Sequence, residues 1–230
     1  MTDIKTIALP SPLLVIEAST KTGSVAVIVR GEVAANVDVA MGVSRDDGLF
    51  PAMRSLLAEC GLAPADLGAV ACGAGPGSFT SLRIAASLAK GIAHGTGIPL
   101  FAVPSLLLAT GDCPAGNYVA HSDAMRGERF AQRVRVDVQG RIFAEGAVQR
   151  IPGSALRAFA DGAALVSAGT PPHADLADLV VTPAASAVVR IGDWASCGPV
   201  ALGTWEPDYG RLAEAQVVWE RSHGHPLPAL

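Results

Sequence analysis

Leu13-Leu14-Val15-Ile16-Glu17-Ala18-Ser19-Thr20 is a short apolar run that ends on a carboxylate. Gly23 restarts a strand-like run from Ser24 to Val29, Arg30-Gly31-Glu32 reads as a tight turn, and Val33 to Val39 reads as a third strand. Strands joined by such short turns predict an antiparallel meander. The same order returns in the second half of the chain. Asn117 to His121 reads as a strand ending in Ser122-Asp123-Ala124, Gly127 restarts a strand from Glu128 to Asp137, Gln139-Gly140-Arg141 makes the turn, and Ile142 to Val148 forms the partner. An acidic strand end followed by a meander, used twice, is what a duplicated two-lobe α/β fold would show. Gly111 to Gly116 reads as the linker, so the expected division is an N-terminal lobe over 1–110 and a C-terminal lobe with a tail over 111–230.

Between the two meanders the pattern changes to helical. Leu49, Met53, Leu56, Leu57 and Cys60 share one face, Asp46 and Asp47 suit the helix N-terminus, and Gly61 is a stop signal. Gly68 to Cys72 reads as a buried strand leading into Gly73-Ala74-Gly75-Pro76-Gly77-Ser78, with Ser78 as N-cap of a helix from Phe79 to His94. That helix is rich in small residues, among them Ala85, Ala86, Ser87, Ala89, Gly91 and Ala93. Pro99 to Val103 is a further strand, and Ser105 caps a short helix through Ala109. Beyond the second meander, Ser154 to Phe159 and Ala184 to Cys197 read as helical, Ala164 to Ala168 as a strand, and Trp205 to Arg221 as a polar tail.

Half of the 230 residues are hydrophobic and 17% are charged, which excludes a disordered chain. The mean hydropathy of +0.38 predicts either a large core or an apolar surface that meets a partner. A net charge of −4 opposes tight binding to a phosphate backbone, because that binding relies on Lys and Arg releasing counterions. Cys60, Cys72, Cys113 and Cys197 lie far apart, without a Cys-x-x-Cys pair. The opening residues carry no secretory pattern and no run is long enough to span a bilayer, so the expectation is a cytoplasmic protein with free thiols and no membrane contact.

Two constellations carry possible chemistry. The loop Gly75-Pro76-Gly77-Ser78 precedes a helix N-terminus, where backbone amides could cradle an anion or a nucleotide phosphate. It lacks the Gly-Lys-Ser/Thr of a Walker loop, and the alternative reading is a tight strand-to-helix turn without a ligand. Glu17 and Asp123 each end a strand at the expected mouth between lobes. They could hold a metal or serve acid–base chemistry, or they could each cap nearby amides in a turn. The five histidines form no zinc pattern, and neither a Gly-x-Ser-x-Gly elbow nor a Ser–His–Asp order is present.

The run Ala71 to Ile84, with its Gly75-Pro76-Gly77-Ser78-Phe79-Thr80 centre and Arg83, resembles the signature of the TsaB (YeaZ) family. Ala89-Lys90-Gly91, Ile98-Pro99-Leu100, Asp123-Ala124-Met125-Arg126-Gly127-Glu128 and Glu206-Pro207-Asp208-Tyr209-Gly210-Arg211 resemble its further motifs in the same order. Glu17 stands for the family's usual Asp, Ser81 for Gly and Phe130 for Tyr. The resemblance implies a duplicated actin-like, ribonuclease-H-type fold with mixed sheets. It implies a non-catalytic partner subunit, homologous to a catalytic TsaD-like subunit and working with a TsaE-like ATPase. Together these transfer a threonylcarbamoyl group to the adenosine next to the tRNA anticodon, and this chain would meet tRNA only through the complex. The catalytic relative carries a His-x-x-x-His metal pair that aligns with Ser105 and Ala109, and neither side chain can replace imidazole. The expectation is therefore no catalytic residue, no metal and no cofactor. The small-residue helix suggests close approach by a partner's helices, with Met53, Leu57, Leu82, Ala85, Ala86 and Ala89 as the contact residues and a homodimer in isolation. The rival reading is an actin-like ATPase or kinase-type enzyme with its own nucleotide site.

Overall fold

The computed structural model describes residues 9–42, 48–171, 173–209 and 222–223. Asp46 and Asp47, and the C-terminal motif from Gly210 onward, lie outside them. The first meander is β1 (Leu13–Glu17), β2 (Thr22–Val29) and β3 (Glu32–Ala40). Helix α1 (Leu49–Glu59) leads to β4 (Ala69–Gly73), and helix α2 (Phe79–Thr96) leads to β5 (Leu100–Val103) and the short α3 (Ser105–Leu108). The sheet order is β3-β2-β1-β4-β5. β1 pairs antiparallel with β2, Glu17 opposite Ser24, and parallel with β4, Ile16 opposite Cys72. All of β1 is buried, as an uninterrupted apolar run in a central strand requires. Its alternate residues feed two cores. Leu14 and Ile16 pack with Met53, Leu57, Ala85 and Ala89 under the helices, while Leu13 and Val15 pack with Ile28, Phe101, Val188 and Trp194 on the opposite face.

The second half repeats this plan. It comprises β6 (Gly116–Asp123), β7 (Glu128–Val136), β8 (Ile142–Ala144), β9 (Gln149–Pro152), helix α4 (Leu156–Ala160), β10 (Ala164–Ala168) and β11 (Leu179–Val181). The order β11-β10-β6-β7-β8 is the first sheet's order written again, with β6 and β7 antiparallel and β6 and β10 parallel. β1 and β6 thus occupy equivalent central positions, each ending on a carboxylate, and the expected two-lobe α/β architecture with mixed sheets is what the chain adopts.

The layers over the sheets are not equal. The first sheet carries the two long helices α1 and α2. In the second half the corresponding connections hold, among the described residues, the five-residue α4 and two 3-10 turns, Gly153–Ala155 and Ala174–Leu176. The expected helix over Ala184 to Cys197 is instead two 3-10 turns, Ala185–Arg190 and Trp194–Cys197. Ile191 between them bridges to Ile142, and Gly192 lies so close to the Phe143 ring that a side chain there would collide. Tertiary contact overrides helical spacing here. Ala185, Val188 and Trp194 pack back under the first sheet, and the Ala185 amide donates to Ser24 Oγ at 2.8 Å.

The expected contact residues need correction. Met53, Leu57, Leu82, Ala85, Ala86 and Ala89 are all buried within the chain itself. The alanines of α2 are small because that helix lies directly against β4 and β1, so their size serves the chain's own core. The outward faces are carried by Thr80, Arg83, Ser87 and Gly91 on α2, beside half-buried Ile84 and Leu88, and by Phe50 and Arg54 on α1. Ser78 occupies the N-cap position of α2 without a side-chain cap bond, its hydroxyl instead lying 3.0 Å from Ser81 Oγ. Gly97, at φ 73, closes α2 in the left-handed region. No helix among the described residues is long and apolar enough to cross a membrane.

Candidate functional site

The two carboxylates singled out in the sequence have different fates. Glu17 is fully buried at the end of β1. Its Oε1 accepts the Ser19 amide at 2.6 Å and its Oε2 accepts the Ser105 hydroxyl at 2.8 Å. The Ser105 oxygen in turn accepts the Gly75 amide at 3.1 Å. A chain of bonds therefore runs from the glycine loop through α3 to β1. Burial pushes the Glu17 pKa up, against the lowering effect of its Ser19 and Ser105 bonds. Gly73 is required beside it, since a Cβ there would collide with the Glu17 carboxylate. Asp123, by contrast, is exposed. It caps the Met125 amide at 3.0 Å and stands 3.7 Å from Arg129.

A cleft of about 530 Å³ lies between the lobes. Ser19, Lys21, Gly77 and Ser78 line it from the first sheet, and Ser122, Asp123 and Arg129 from the second. Asp123, Gly77 and Ser78 thus meet at the cleft, whereas Glu17 is not among its lining residues and points into the Ser19–Ser105 cage. The carboxylate pair is not assembled as one ligand set.

The glycine loop is held mainly by the protein itself. The Ala74 amide donates to Val103 O at 2.7 Å, Gly75 to Ser105 Oγ, and Ser78 to Ser19 O at 2.8 Å. Pro76 has no amide proton to offer. Gly77 passes so close to the Ser19 backbone that any side chain would clash. From outside, the Asp208 amide donates to Ala74 O at 2.7 Å, and Tyr209 sets its ring 4.6 Å from that of Phe79. Lys90 pairs with Glu206 at 3.2 Å, so the described end of the tail lies along α2. Most loop amides that would face a phosphate already have acceptors, and this geometry supports the turn reading.

Sequence reasoning missed Ser105 as the partner of Glu17, because the bond joins distant segments. It also missed a polar group inside the second lobe. Arg129, buried on β7, donates through Nε and Nη2 to His121 Nδ1 at 3.1 and 2.9 Å, and through Nη2 to Ser167 Oγ at 3.2 Å. A guanidinium cannot accept, so His121 Nδ1 is the acceptor and its proton sits on Nε2. Burial and the Arg129 charge push His121 down to about 4. The available signal was an arginine at an inward position of a predicted strand. The thiols of Cys72 and Cys197 are buried and pushed upward, which makes them poor nucleophiles.

The chain is similar to known proteins in both sequence and structure. The family described as TsaD, tRNA N6-adenosine threonylcarbamoyltransferase, matches residues 46–111. The TsaB protein of Bacillus subtilis is 36% identical over 120 residues, covering 51% of this chain and 52% of that protein. The TsaB protein of Haemophilus influenzae is 34% identical over 132 residues, covering 55% and 56%. An uncharacterised protein of Mycobacterium tuberculosis is 36% identical over 154 residues, covering 64% and 67%. The chain thus spans about half the length of the curated TsaB relatives it matches. In three dimensions it resembles YeaZ from Pseudomonas aeruginosa with a TM-score of 0.71 and 26% identity, covering 86% of this chain and 98% of that one.

Proposed function

Because the chain belongs to the TsaB (YeaZ) family, we propose that it acts in the formation of threonylcarbamoyladenosine in tRNA, as a partner subunit and not as the transferase. The observation that carries this reading is the state of Ser105 and Ala109, the positions that align with the metal-binding histidines of the catalytic relative. Ser105 is buried with its hydroxyl committed to Glu17, and Ala109 is a buried methyl. Neither can activate a substrate. The match of residues 46–111 to the TsaD family supports a second element: a homologous TsaD-type subunit is the partner, met through a related surface. In our reading that surface is the outward face of α1 and α2, with Phe50, Ile84, Ser87, Leu88 and Gly91. The same face pairs with itself when the partner is absent. A TsaE-type ATPase joins the assembly, and tRNA is reached through it. The lobes correspond to 1–110 and 111–230, with residues 185–197 crossing back to brace the first.

The experiment is a reconstitution. The chain, a TsaD-type subunit, a TsaE-type ATPase, a threonylcarbamoyl donor and unmodified tRNA are combined, and the modified nucleoside is measured by mass spectrometry. We expect product only when both this chain and the TsaD-type subunit are present. Product formed without this chain would defeat the reading. The inter-lobe cleft keeps one rival in view, an ATPase of the actin-like class. ATP turnover by the chain alone, abolished by Asp123→Asn, would favour it.

A further inference from the structure

The second lobe holds a buried cation whose neighbours do not satisfy it. The Arg129 side chain is 3% exposed. His121, held neutral, and Ser167 occupy its Nε and Nη2 edges, while Nη1 has no hydrogen-bond partner. The nearest carboxylate, Asp123, stands 3.7 Å away, is 59% exposed, and is already engaged with the Met125 amide. A buried charge left with one loose, solvated counter-ion is costly, and a well-placed anion relieves that cost.

Arg129 also lines a second cleft, of about 710 Å³, which adjoins the one between the lobes and shares Asp123, Met125 and Arg129 with it. Arg126, Arg157, His173, Ser154, Gly127 and Gly153 line it too. Its carboxylates are Asp123, Glu128 and Asp175. Glu128 is paired with Arg150 at 2.9 Å, and Arg157 with Asp178 at 2.8 Å. The spare donors are therefore Arg129 Nη1, Arg126 and the Ser154 hydroxyl, and Asp123 is the internal competitor for Arg129.

We propose that this second-lobe cleft binds a small oxyanion, the phosphate or carboxylate group of a metabolite, against the Nη1 edge of Arg129, with Asp123 yielding its place. The lining of this cleft includes no residue of the glycine loop or of α1 and α2, although Asp123 and Arg129 also border the inter-lobe cleft. It stands or falls independently of the chain's role beside a catalytic subunit.

The test is titration of the full chain with sodium phosphate and, separately, sodium acetate, at constant ionic strength, followed by 15N–1H NMR. Saturable shifts are expected at Arg129 Nε–H and at the Gly127 and Ser154 amides. A preference for phosphate assigns a phosphorylated ligand, and a preference for acetate assigns a carboxylate. Asp123→Asn keeps an oxygen for the Met125 amide and removes the competing charge, so binding should tighten by about fivefold, as expected for losing a half-solvated charge. Arg129→Lys should weaken it at least about tenfold, since an ammonium cannot present the planar two-proton edge. Should the Arg129 variant fail to fold, Asp123→Asn and Ser154→Ala, moving affinity in opposite directions, decide the matter. Shifts no larger than those given by sodium chloride, in both the unaltered chain and Asp123→Asn, would overturn the proposal and leave Arg129 a structural residue.

Discussion

Ser105→Ala should destabilise the fold, and by more at high pH than at low. The substitution deletes two buried bonds together, from Ser105 Oγ to Glu17 Oε2 at 2.8 Å and from the Gly75 amide to Ser105 Oγ at 3.1 Å. A lost bond to a buried carboxylate costs about 1.5–3 kcal/mol and a stranded buried amide about 1 kcal/mol or more, giving roughly 2–4 kcal/mol. At about 2–4 °C per kcal/mol for a chain of this size, Tm should fall by roughly 5–15 °C. The pH dependence follows from Glu17. Burial raises its pKa above the ordinary 4.5, so between that value and the folded pKa the folded state holds a proton that the unfolded state has released. Stability contributed by this group is therefore lost as pH rises through that window. The Ser105 bond lowers the Glu17 pKa, so its removal drives the pKa higher and widens the window. The substitution should therefore cost less at a low pH, near the ordinary carboxylate value of 4.5, and more at a higher pH within the window, where the carboxylate ionises without its donor. Urea unfolding followed by circular dichroism at the two pH values is the assay. A difference between Ser105→Ala and the unaltered chain that is the same at both pH values, or under about 1 kcal/mol at the higher, would refute the Glu17–Ser105 argument.

Three further outcomes follow from the packing. Gly73→Ala should destabilise by about 2 kcal/mol or more because its methyl meets the Glu17 carboxylate, and Glu17→Asp in the same chain should recover much of that loss by drawing the carboxylate back; thermal unfolding of the single and double variants measures the coupling. Ser87→Glu on the outward face of α2 should leave the fold intact and weaken both self-association and partner binding, whereas Ala89→Glu should unfold the chain by burying an unpaired charge; sedimentation and circular dichroism separate the two. A fragment of residues 1–110 should aggregate or bind a hydrophobic dye, because it leaves Leu13, Val15, Ile28 and Phe101 without the cover of Val188 and Trp194.

Local signals made much of the fold readable. The turn glycines Gly31 and Gly140 adopt positive φ, as tight turns ask of them, and the runs that they separate became β2, β3, β7 and β8. The apolar face of α1 kept its period: Leu49, Met53, Leu56 and Leu57 are buried, while Cys60, at the C-cap, is half-buried. What failed depended on distant contact. Ala184 to Cys197 has helical spacing, yet Val188 and Trp194 are held by the underside of the first sheet, and a straight helix could not serve both that core and the Ile142 bridge. The alanines of α2 were read as a spare face for a partner, although the sheet beneath already uses them. Counting small residues cannot distinguish a helix packed closely on its own sheet from one waiting for another chain. The role of Glu17 was hidden for the same reason, since its decisive partner Ser105 lies on another element.

The two halves share a strand order but not a covering, and that asymmetry bears on function. A nucleotide enzyme of the two-lobe kind needs phosphate-facing backbone from both lobes and carboxylates free to hold metal. In the first half the strand-to-helix turn is intact, but its amides are bonded to Val103, Ser105 and Ser19, and its carboxylate is sealed. In the second half β10 is followed, among the described residues, by one 3-10 turn, Ala174–Leu176, in place of a long helix. The two halves thus share a strand frame, with the first half's loop bonded internally through Ala74, Gly75 and Ser78. For the proposed partner role, holding α1 and α2 rigidly on the first sheet requires only this frame. The internal bonding of the glycine loop then has a direct use, because it fixes the start of α2, and with it the outward row of Thr80, Ile84, Ser87 and Gly91 that we assign to the partner.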